Sequence, residues 1–215
     1  MTTLLIATRN AHKVGEIRAI LGDQFRYLSL RDLPDAPAVV EDAETFADNA
    51  AKKAVELARW LRRTGNSTPG TRNAFVLADD SGLEVDALGG KPGVHSARFA
   101  AADSAHAGNS PDADNNAKLL RLLKDVPLEK RTARFRCVIA LTGLNSDPST
   151  KSELFDGACE GRIELGPRGQ GGFGYDPLFV PDGFTQSFAE LGEDVKNRLS
   201  HRSRALAKLK TWLAR

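Results

Sequence analysis

From the first residues of the chain onward, strand-like and helix-like patterns of apolar and polar positions follow one another. Residues 4–8 form an apolar run that predicts a strand, and a polar turn leads into a predicted helix at residues 13–21. Residues 27–30 predict a short second strand. The apolar side chains of the predicted helix recur at the spacing of one helical face: Val14, Ile17, Ile20 and Leu21.

The same intermixing continues to the end of the chain. Thr45 and Asp48 have the spacing of a capping box, which predicts a helix that starts near Thr45. Residues 63–74 and 102–112 have the composition of loops, and we predict surface insertions there. Further strands are predicted at residues 75–78, 134–144 and 153–165, and further helices at residues 114–123 and 200–213. This mixture predicts an α/β or α+β class with a mixed sheet.

Two adjacent carboxylates, Asp79 and Asp80, follow the apolar run of the third predicted strand and precede Ser81. The pattern predicts a buried strand that carries charge at its end. Adjacent strand residues face opposite ways, so the two carboxylates are not expected to point into one site. Buried carboxylates need a metal, a cation or hydrogen-bond donors, which makes the pair a candidate for divalent-ion chemistry. The alternative is an Asx turn, for which Asp-Ser-Gly is suitable.

Composition narrows the classes of function. The chain has 215 residues, and its net charge of +2 gives no support to nucleic-acid or membrane binding. No apolar run is long enough to span a bilayer, and the first residues lack the features of a signal peptide. Cys137 and Cys159 lack metal-site spacing, which predicts buried free thiols. These features favour a cytoplasmic location.

The turn before the first helix is a candidate anion site. Helix N-termini bind anions through free backbone N–H groups, and Lys13 opposes the helix dipole unless it faces an anion. A solvated turn is the alternative, and the segment is not a Walker P-loop. The residues concerned are Thr8, Arg9, Asn10, Ala11, His12 and Lys13.

Two side chains around the second helix each have a structural and a functional interpretation. Glu41 precedes the helix, where an acid is commonly a capping or solvated residue, and it becomes relevant as a partner of Asp80 on a metal. Lys53 lies on the apolar side of the helix and either snorkels to the surface or reaches an acid or a phosphate. The pattern alone leaves both alternatives open.

A glycine-rich loop at residues 166–174 is the last candidate cluster. Its glycines allow a ligand to approach the backbone closely, and Phe173 and Tyr175 offer faces on which a base could stack. His201 and Arg202 lie in the first turn of the last helix, where positive charge is unfavourable without a functional reason. No His/Cys cluster has the spacing of a zinc site.

Six motifs occur in the order typical of the inosine triphosphate pyrophosphatase family, and the chain resembles that family over nearly its whole length. Any one motif is a weak signal, whereas six in order are highly specific. The first three are Thr8-Arg9-Asn10-x-x-Lys13, Thr45-Phe46-x-x-Asn49-Ala50-x-x-Lys53-Ala54 and Asp79-Asp80-Ser81-Gly82-Leu83-x-Val85-x-x-Leu88. The last three are Gly93-x-x-Ser96-Ala97-Arg98, Gly171-Gly172-Phe173-Gly174-Tyr175-Asp176-Pro177 and Ser200-His201-Arg202-x-x-Ala205-Leu206.

The resemblance implies a fold and an activity. The implied fold is α/β, with a long central mixed sheet flanked by helices. Residues 1–215 would form one two-lobed domain with an active-site cleft between the lobes. The implied activity is hydrolysis of ITP, dITP and XTP to the monophosphate and pyrophosphate with magnesium (Mg²⁺), by a homodimer that removes deaminated purines from the nucleotide pool. No nucleic-acid or membrane partner is implied.

The resemblance also assigns roles residue by residue. Asp80 is implied as metal ligand and proton acceptor, Glu41 as a second metal ligand, and Lys13 as a catalytic cation. Arg9 stands where the family commonly has glycine, which is a departure from the motif. The implied substrate-binding residues are Thr8, Arg9, Asn10, Ala11, His12, Lys13, Ser81, Phe173, Gly174, Tyr175, Asp176, Lys196, His201 and Arg202.

Other functions are compatible with the sequence. A pyrophosphatase for other modified nucleotides, similar to the Maf proteins, would differ in substrate preference. A non-catalytic nucleotide sensor would bind ITP without Mg²⁺-dependent release of pyrophosphate. Residues 171–177 form what we call the glycine–aromatic loop. An RNA-binding role for this loop conflicts with the near-neutral net charge of the chain.

Overall fold

The fold is built around a mixed β-sheet, seen in a computed structural model that describes residues 1–64, 74–101, 108–144 and 151–214. The strands are β1 (Thr2–Ile6), β2 (Phe25–Ser29), β3 (Ala74–Val85), β4 (Thr132–Gly143), β5 (Glu153–Ile163) and β6 (Phe179–Pro181). The α-helices are α1 (Ala11–Leu21), α2 (Phe46–Thr64), α3 (Asp112–Leu122), α4 (Phe188–Leu191), α5 (Glu193–Leu199) and α6 (His201–Leu213). Short 3₁₀ helices cover Asp86–Leu88, Gly93–Arg98 and Leu128–Lys130.

Strand directions in the sheet are mixed. Within the described residues the six strands follow the order β2–β1–β3–β4–β5–β6. β1 runs parallel to β2 and β3, with Leu4 opposite Tyr27 and Phe75. β5 and β6 are antiparallel, with Arg162 opposite Val180. The predicted α/β class, with a mixed sheet flanked by helices, is confirmed.

The chain divides into two compact units, and the first contains Met1–Asp80, Cys137–Asp156 and Arg202–Arg215. The predicted apolar stripe of α1 is buried at Ile17 and Leu21. Burial of apolar area from four strands and two helices stabilises this unit. Its core consists of Leu4, Ile6, Ile17, Leu21, Leu77, Cys137, Ile139, Leu141, Phe155, Ala205, Leu206 and Leu209.

The second unit contains Ser81–Arg136 and Gly157–His201. Its core includes an aromatic pair, in which the ring centroids of Phe135 and Phe179 lie 4.7 Å apart. The core residues are Leu83, Val85, Phe99, Leu119, Leu123, Ala133, Phe135, Cys159, Ile163, Tyr175, Leu178, Phe179 and Phe188. That residues 1–215 form a single domain stays a prediction.

The third strand differs from its prediction. β3 is continuous from Ala74 to Val85, so Asp79 and Asp80 lie inside the strand and not at its end, and the alternative of an Asx turn is wrong. An Asx turn competes with the sheet for the same backbone groups, and here the sheet prevails because the flanking residues are apolar and buried.

Several short elements were not predicted, namely β6, α4 and α5. Most of the two predicted insertions, at residues 65–73 and 102–107, lies outside the described residues. Among the helices that the structure describes, none is long and apolar enough to cross a membrane.

Candidate active site

Strand β3 presents two neighbouring carboxylates to different partners in the first unit. The Asp79 carboxylate contacts Lys13 and Arg202, whereas the Asp80 carboxylate contacts Lys53. This separation confirms that adjacent strand residues face opposite ways. Each carboxylate is buried, and each has a cation beside it, as the cost of burying charge requires.

Lys53 joins Asp80 to Glu41. Its Nζ lies 3.0 Å from Asp80 Oδ1 and 3.0 Å from Glu41 Oε2, and it donates to the backbone carbonyl of Asp79 at 2.8 Å. Lys53 is only 7% exposed, so it does not snorkel to the surface. Of the two alternatives that the sequence left open, the one in which this lysine reaches an acid is confirmed.

Local hydrogen bonds at the start of α2 place Glu41 and Lys53 near each other. The backbone N–H of Asp48 donates to Thr45 Oγ1 at 3.1 Å, which confirms the predicted cap. Asn49 accepts from the Ala43 N–H at 3.0 Å and donates back to its carbonyl. These bonds hold the segment before the helix against its first turns, so that Glu41 meets a lysine on the buried face of α2.

Burial and charge set the ionisation of this cluster. Burial raises the pKa of Asp80 to about 6, against the attraction of Lys53 and with the repulsion of Glu41. Burial opposes ionisation of Glu41 as well, but the charge of Lys53 outweighs it and lowers the pKa of Glu41. The pKa of Lys53 is raised, because the two carboxylates outweigh its own burial. A lysine that stays protonated thus lies between two acids.

The carboxylate oxygens at this site fit a Mg²⁺ ion that is bound by both the protein and the substrate. Asp80 Oδ2 is buried and has no hydrogen-bond partner within the described part of the chain, so it has a lone pair to offer. Among those residues no group of three or more His, Cys, Asp or Glu side chains forms a closed metal cage. Mg²⁺ commonly takes one or two carboxylates plus waters and substrate phosphates. Glu41 and Asp80 would supply such a pair.

The turn before α1 is closed by its own side chains. Asn10 Oδ1 accepts from the N–H groups of His12 at 2.9 Å and Lys13 at 3.3 Å. Those two groups are therefore not free, and the prediction of free backbone donors is wrong for them, because the asparagine caps the helix. Thr8 Oγ1 accepts from the Asn10 N–H at 3.1 Å, and the Arg9 guanidinium donates to the carbonyl of Ala36 at 3.0 Å. Ala11 is the first residue of the helix.

Asp79 is the centre of a second charged network. Its carboxylate accepts from Arg202 Nε at 3.0 Å and Nη2 at 3.3 Å, and from the Cys137 thiol at 3.0 Å. Lys13 also pairs with it, and Arg202 Nη1 pairs with Glu16. Burial disfavours the charge of Asp79, but Arg202 and Lys13 outweigh it and hold its pKa well below the usual range.

This network changes the expectation for Arg202. The side chain is 1% exposed, and three of its nitrogens donate to carboxylates of Asp79 and Glu16. The base contact that the resemblance implies stays a prediction, since the contacts in the structure are to protein acids. Glu16 was not among the predicted site residues, although it lies three residues after Lys13 on the same helical face.

In the second unit, a buried ion pair organises the glycine–aromatic loop. Lys196 Nζ lies 2.6 Å from Asp176 Oδ2, and the Phe173 N–H donates to the same oxygen at 2.9 Å. The Lys196 ammonium also lies 4.3 Å from the centroid of the Phe173 ring. A Cβ on Gly172 would come within 2.1 Å of Asp176 Oδ2, so the loop needs glycine there.

Three other predicted site residues have different surroundings in this unit. The Tyr175 ring is buried in the core and its hydroxyl donates to the Ser96 carbonyl at 2.8 Å, so the prediction that a base stacks on it is wrong. The His201 ring stacks on Phe135 at a centroid distance of 4.9 Å. Ser81 is half-buried in β3, directly after Asp80.

Acids that pair with cations inside a fold, one of them with a raised pKa, are typical of an enzyme active site. Comparison with known proteins gives the family. The Ham1 family model matches residues 4–212, and the chain belongs to this family.

Its relatives match over almost the full length. The dITP/XTP pyrophosphatase of Geobacter sulfurreducens is 50% identical over 214 residues, which are 99% of this chain and 97% of the relative. That of Geobacillus kaustophilus is 46% identical, over 97% of this chain and 93% of its own. A solved HAM1 protein from Coxiella burnetii superposes with a TM-score of 0.80 at 35% identity, covering 100% of this chain and 99% of that one.

Proposed function

We propose that this protein hydrolyses deaminated purine nucleoside triphosphates, namely dITP, XTP and ITP, to the monophosphate and pyrophosphate. The dITP/XTP pyrophosphatase of Geobacter sulfurreducens is 50% identical over 99% of this chain, which supports the proposal. The single observation that carries the proposal is the Glu41–Lys53–Asp80 cluster, which presents a buried carboxylate oxygen with no hydrogen-bond partner in the described structure. Such an activity would remove deaminated purines from the nucleotide pool.

We propose Mg²⁺ as the cofactor, held by Asp80 and Glu41. When bound, the ion would neutralise phosphate charge and stabilise the leaving pyrophosphate. Water adds to the α-phosphorus, the bond to the bridging oxygen breaks, and pyrophosphate leaves. We propose that Asp80 also accepts the proton of the attacking water. Lys53 fixes the orientation of Asp80 throughout.

Phosphate and base contacts are assigned on the resemblance. Lys13 would neutralise charge on the triphosphate, and the half-buried ring of Phe173 would face the purine. The group at the 6-position of the purine distinguishes deaminated substrates from adenine nucleotides, because a carbonyl accepts hydrogen bonds there and the amino group of adenine does not. Donors that meet an amine are left unpaired, at a cost of about 1–3 kcal/mol each.

The proposal is tested by measuring pyrophosphate release from dITP, XTP, ITP, dATP and dTTP, with Mg²⁺ and with EDTA. We expect Mg²⁺-dependent release from the three deaminated purine nucleotides, with dATP and dTTP far slower. Preferred hydrolysis of dTTP would instead support a pyrophosphatase for other nucleotides. Tight ITP binding without release of pyrophosphate would support a sensor, and either result contradicts the proposal.

We also propose that the protein is a cytoplasmic homodimer. The resemblance implies the dimer, and both cysteines are buried thiols outside any disulfide, as is usual in a reducing compartment. Light scattering of the purified protein tests the dimer, and a mass of one chain, 23.2 kDa, would contradict it.

A further inference from the structure

Helix α3 holds the glycine–aromatic loop of the second unit through the peptide groups of one residue. Asp112 Oδ2 accepts from the Gly174 N–H at 2.7 Å, and Asn116 Nδ2 donates to the Gly174 carbonyl at 3.0 Å. Asp112 and Asn116 are four residues apart, one turn of the helix, so they face the same side. One side chain accepts and the other donates, and together they satisfy both backbone groups of Gly174.

Gly174 is a residue at which the backbone of the loop takes a left-handed conformation. Its φ is +64°, in the left-handed region that favours glycine, and it directly follows Phe173. Phe173 is held from the other side, where its N–H donates to Asp176 and its ring lies against the Lys196 ammonium. The loop is therefore fixed at consecutive residues, by a buried ion pair at Phe173 and by α3 at Gly174.

The helix itself is anchored independently of the loop. Asn115 Oδ1 accepts from the Ala100 N–H at 2.8 Å, and Lys118 Nζ donates to the Phe99 carbonyl at 2.6 Å. Asn115 and Asn116 therefore point to different neighbours, one to the segment before the helix and the other to the loop. This difference allows the role of the loop contact to be separated from the stability of the helix.

We propose that Asp112 and Asn116 are positioning residues for recognition of the purine base, because they set the place of Gly174 and hence of the Phe173 ring. Neither side chain is assigned a contact with substrate. The inference rests on the proposed function, in which Phe173 faces the base. It predicts that loss of either contact weakens ligands that carry a base and leaves ligands made only of phosphate unaffected.

The chain offers two nearly isosteric exchanges that affect these bonds differently. Asn116→Asp removes the donor and places a carboxylate against the Gly174 carbonyl, so the bond is lost. Asp112→Asn retains a carbonyl oxygen that still accepts from the Gly174 N–H. Asn115→Asp makes the same chemical change one residue earlier, against Ala97 and Ser110 rather than the loop. It is the matched control for damage to the helix.

The test compares inhibition of pyrophosphate release by inosine monophosphate and by pyrophosphate. For Asn116→Asp we expect the inhibition constant of inosine monophosphate to rise about tenfold, as for loss of a part-buried hydrogen bond, and that of pyrophosphate to stay within about twofold. Asn115→Asp should lower the melting temperature without this split, and Asp112→Asn should stay within about threefold of wild type for both inhibitors.

The results that would contradict the positioning role differ from the result that would contradict the proposed function. Equal weakening of both inhibitors by Asn116→Asp, or no weakening of either, would overturn the positioning role. If Asn116→Asp does not fold, Asp112→Ala replaces it, because Asp112 is exposed and accepts from the Gly174 N–H; it should weaken inosine monophosphate more than pyrophosphate, and equal effects on both would overturn the positioning role. A wild-type protein that releases no pyrophosphate from dITP would contradict the proposed function, and that result is seen before any variant is compared.

Discussion

Asp79 and Asp80 are consecutive residues of one strand, yet their carboxylates belong to different charge networks. Asp79 is paired with Arg202 and Lys13, and its pKa is held well below the usual range. Asp80 shares Lys53 with Glu41, and burial raises its pKa to about 6. The first carboxylate is held by two cations, whereas the second has one oxygen, Oδ2, without a hydrogen-bond partner in the described part of the chain. This difference between their neighbours, rather than the residue type, is the reason that we propose Asp80 and not Asp79 as the catalytic carboxylate.

Exchange of the reactive carboxylate should abolish most turnover without unfolding the protein. We predict that Asp80→Asn lowers kcat for dITP by about a hundredfold or more, because the base and the metal ligand are lost together. Steady-state release of pyrophosphate measures this. Asp42→Asn is the control, since Asp42 is an exposed acid paired with Lys52 in the same unit. Turnover by Asp80→Asn close to that of wild type would refute the assignment.

Two adjacent lysines on α2 should differ sharply in their effect on stability. Lys53→Met leaves the buried Asp80 and the half-buried Glu41 without the lysine that they share, and we predict a loss of about 3 kcal/mol in unfolding free energy. Lys52→Met breaks only an exposed pair with Asp42 and should leave stability unchanged. Urea unfolding curves compare the two variants. Equal curves would show that the buried cluster does not stabilise this unit.

Added Mg²⁺ gives a second measurement on the same variant. Without Lys53, the two carboxylates lose the lysine that contacts both of them, so Mg²⁺ should raise the melting temperature of Lys53→Met more than that of wild type. An equal shift in both proteins would contradict the view that Lys53 and Mg²⁺ meet the same acids.

Arg131 should be a major source of stability in the second unit. It is 3% exposed and donates to the carbonyls of Leu123 at 2.7 Å, Val126 at 2.9 Å and Glu164 at 3.1 Å. Arg131→Met removes all three bonds and leaves the carbonyls of Val126 and Glu164 without the guanidinium that they accept from, and we predict a loss of about 3 kcal/mol in unfolding free energy. The exposed neighbour Lys130 is the control, and a similar loss in Lys130→Met would show that the three bonds are not the cause.

Two glycines of the aromatic loop should respond unequally to alanine. A Cβ at Gly172 would meet the Asp176 carboxylate at 2.1 Å, and that carboxylate is held by Lys196 and cannot turn aside freely. A Cβ at Gly174 meets nothing within 4 Å, so only the strain of its left-handed backbone remains. We therefore predict a larger fall in melting temperature and a larger rise in KM for Gly172→Ala. The reverse order would contradict the close approach.

Local signals in the sequence were sufficient for the elements that depend on neighbouring residues. The cap at Thr45 and the apolar stripe of α1 involve residues a few positions apart, and both are found as predicted. β3 was predicted too short because Asp-Ser-Gly favours a turn locally, whereas pairing within the sheet decides the backbone. α4 and α5, at four and seven residues, are too short for a helical repeat to be visible.

The charge networks depend on partners far apart in the sequence. Lys53 and Asp80 are separated by 27 residues, and Glu16 and Arg202 by 186, so no local pattern reveals either pair. The choice between a surface lysine and a buried one therefore had to wait for the fold. The pair Asp79 and Asp80 was singled out from the apolar run, because buried acids are costly without a partner, whereas the choice of Asp80 rests on the family resemblance and stays a prediction.

The role of Glu41 and Asp80 as joint ligands of Mg²⁺ is tested most directly by the Mg²⁺ concentration dependence of pyrophosphate release from dITP. Glu41→Gln keeps the shape of the side chain and removes its charge, so we predict that the half-saturating Mg²⁺ concentration rises about tenfold relative to wild type. The Asp42→Asn control should match wild type. A half-saturating Mg²⁺ concentration that is the same in Glu41→Gln and wild type would contradict the account.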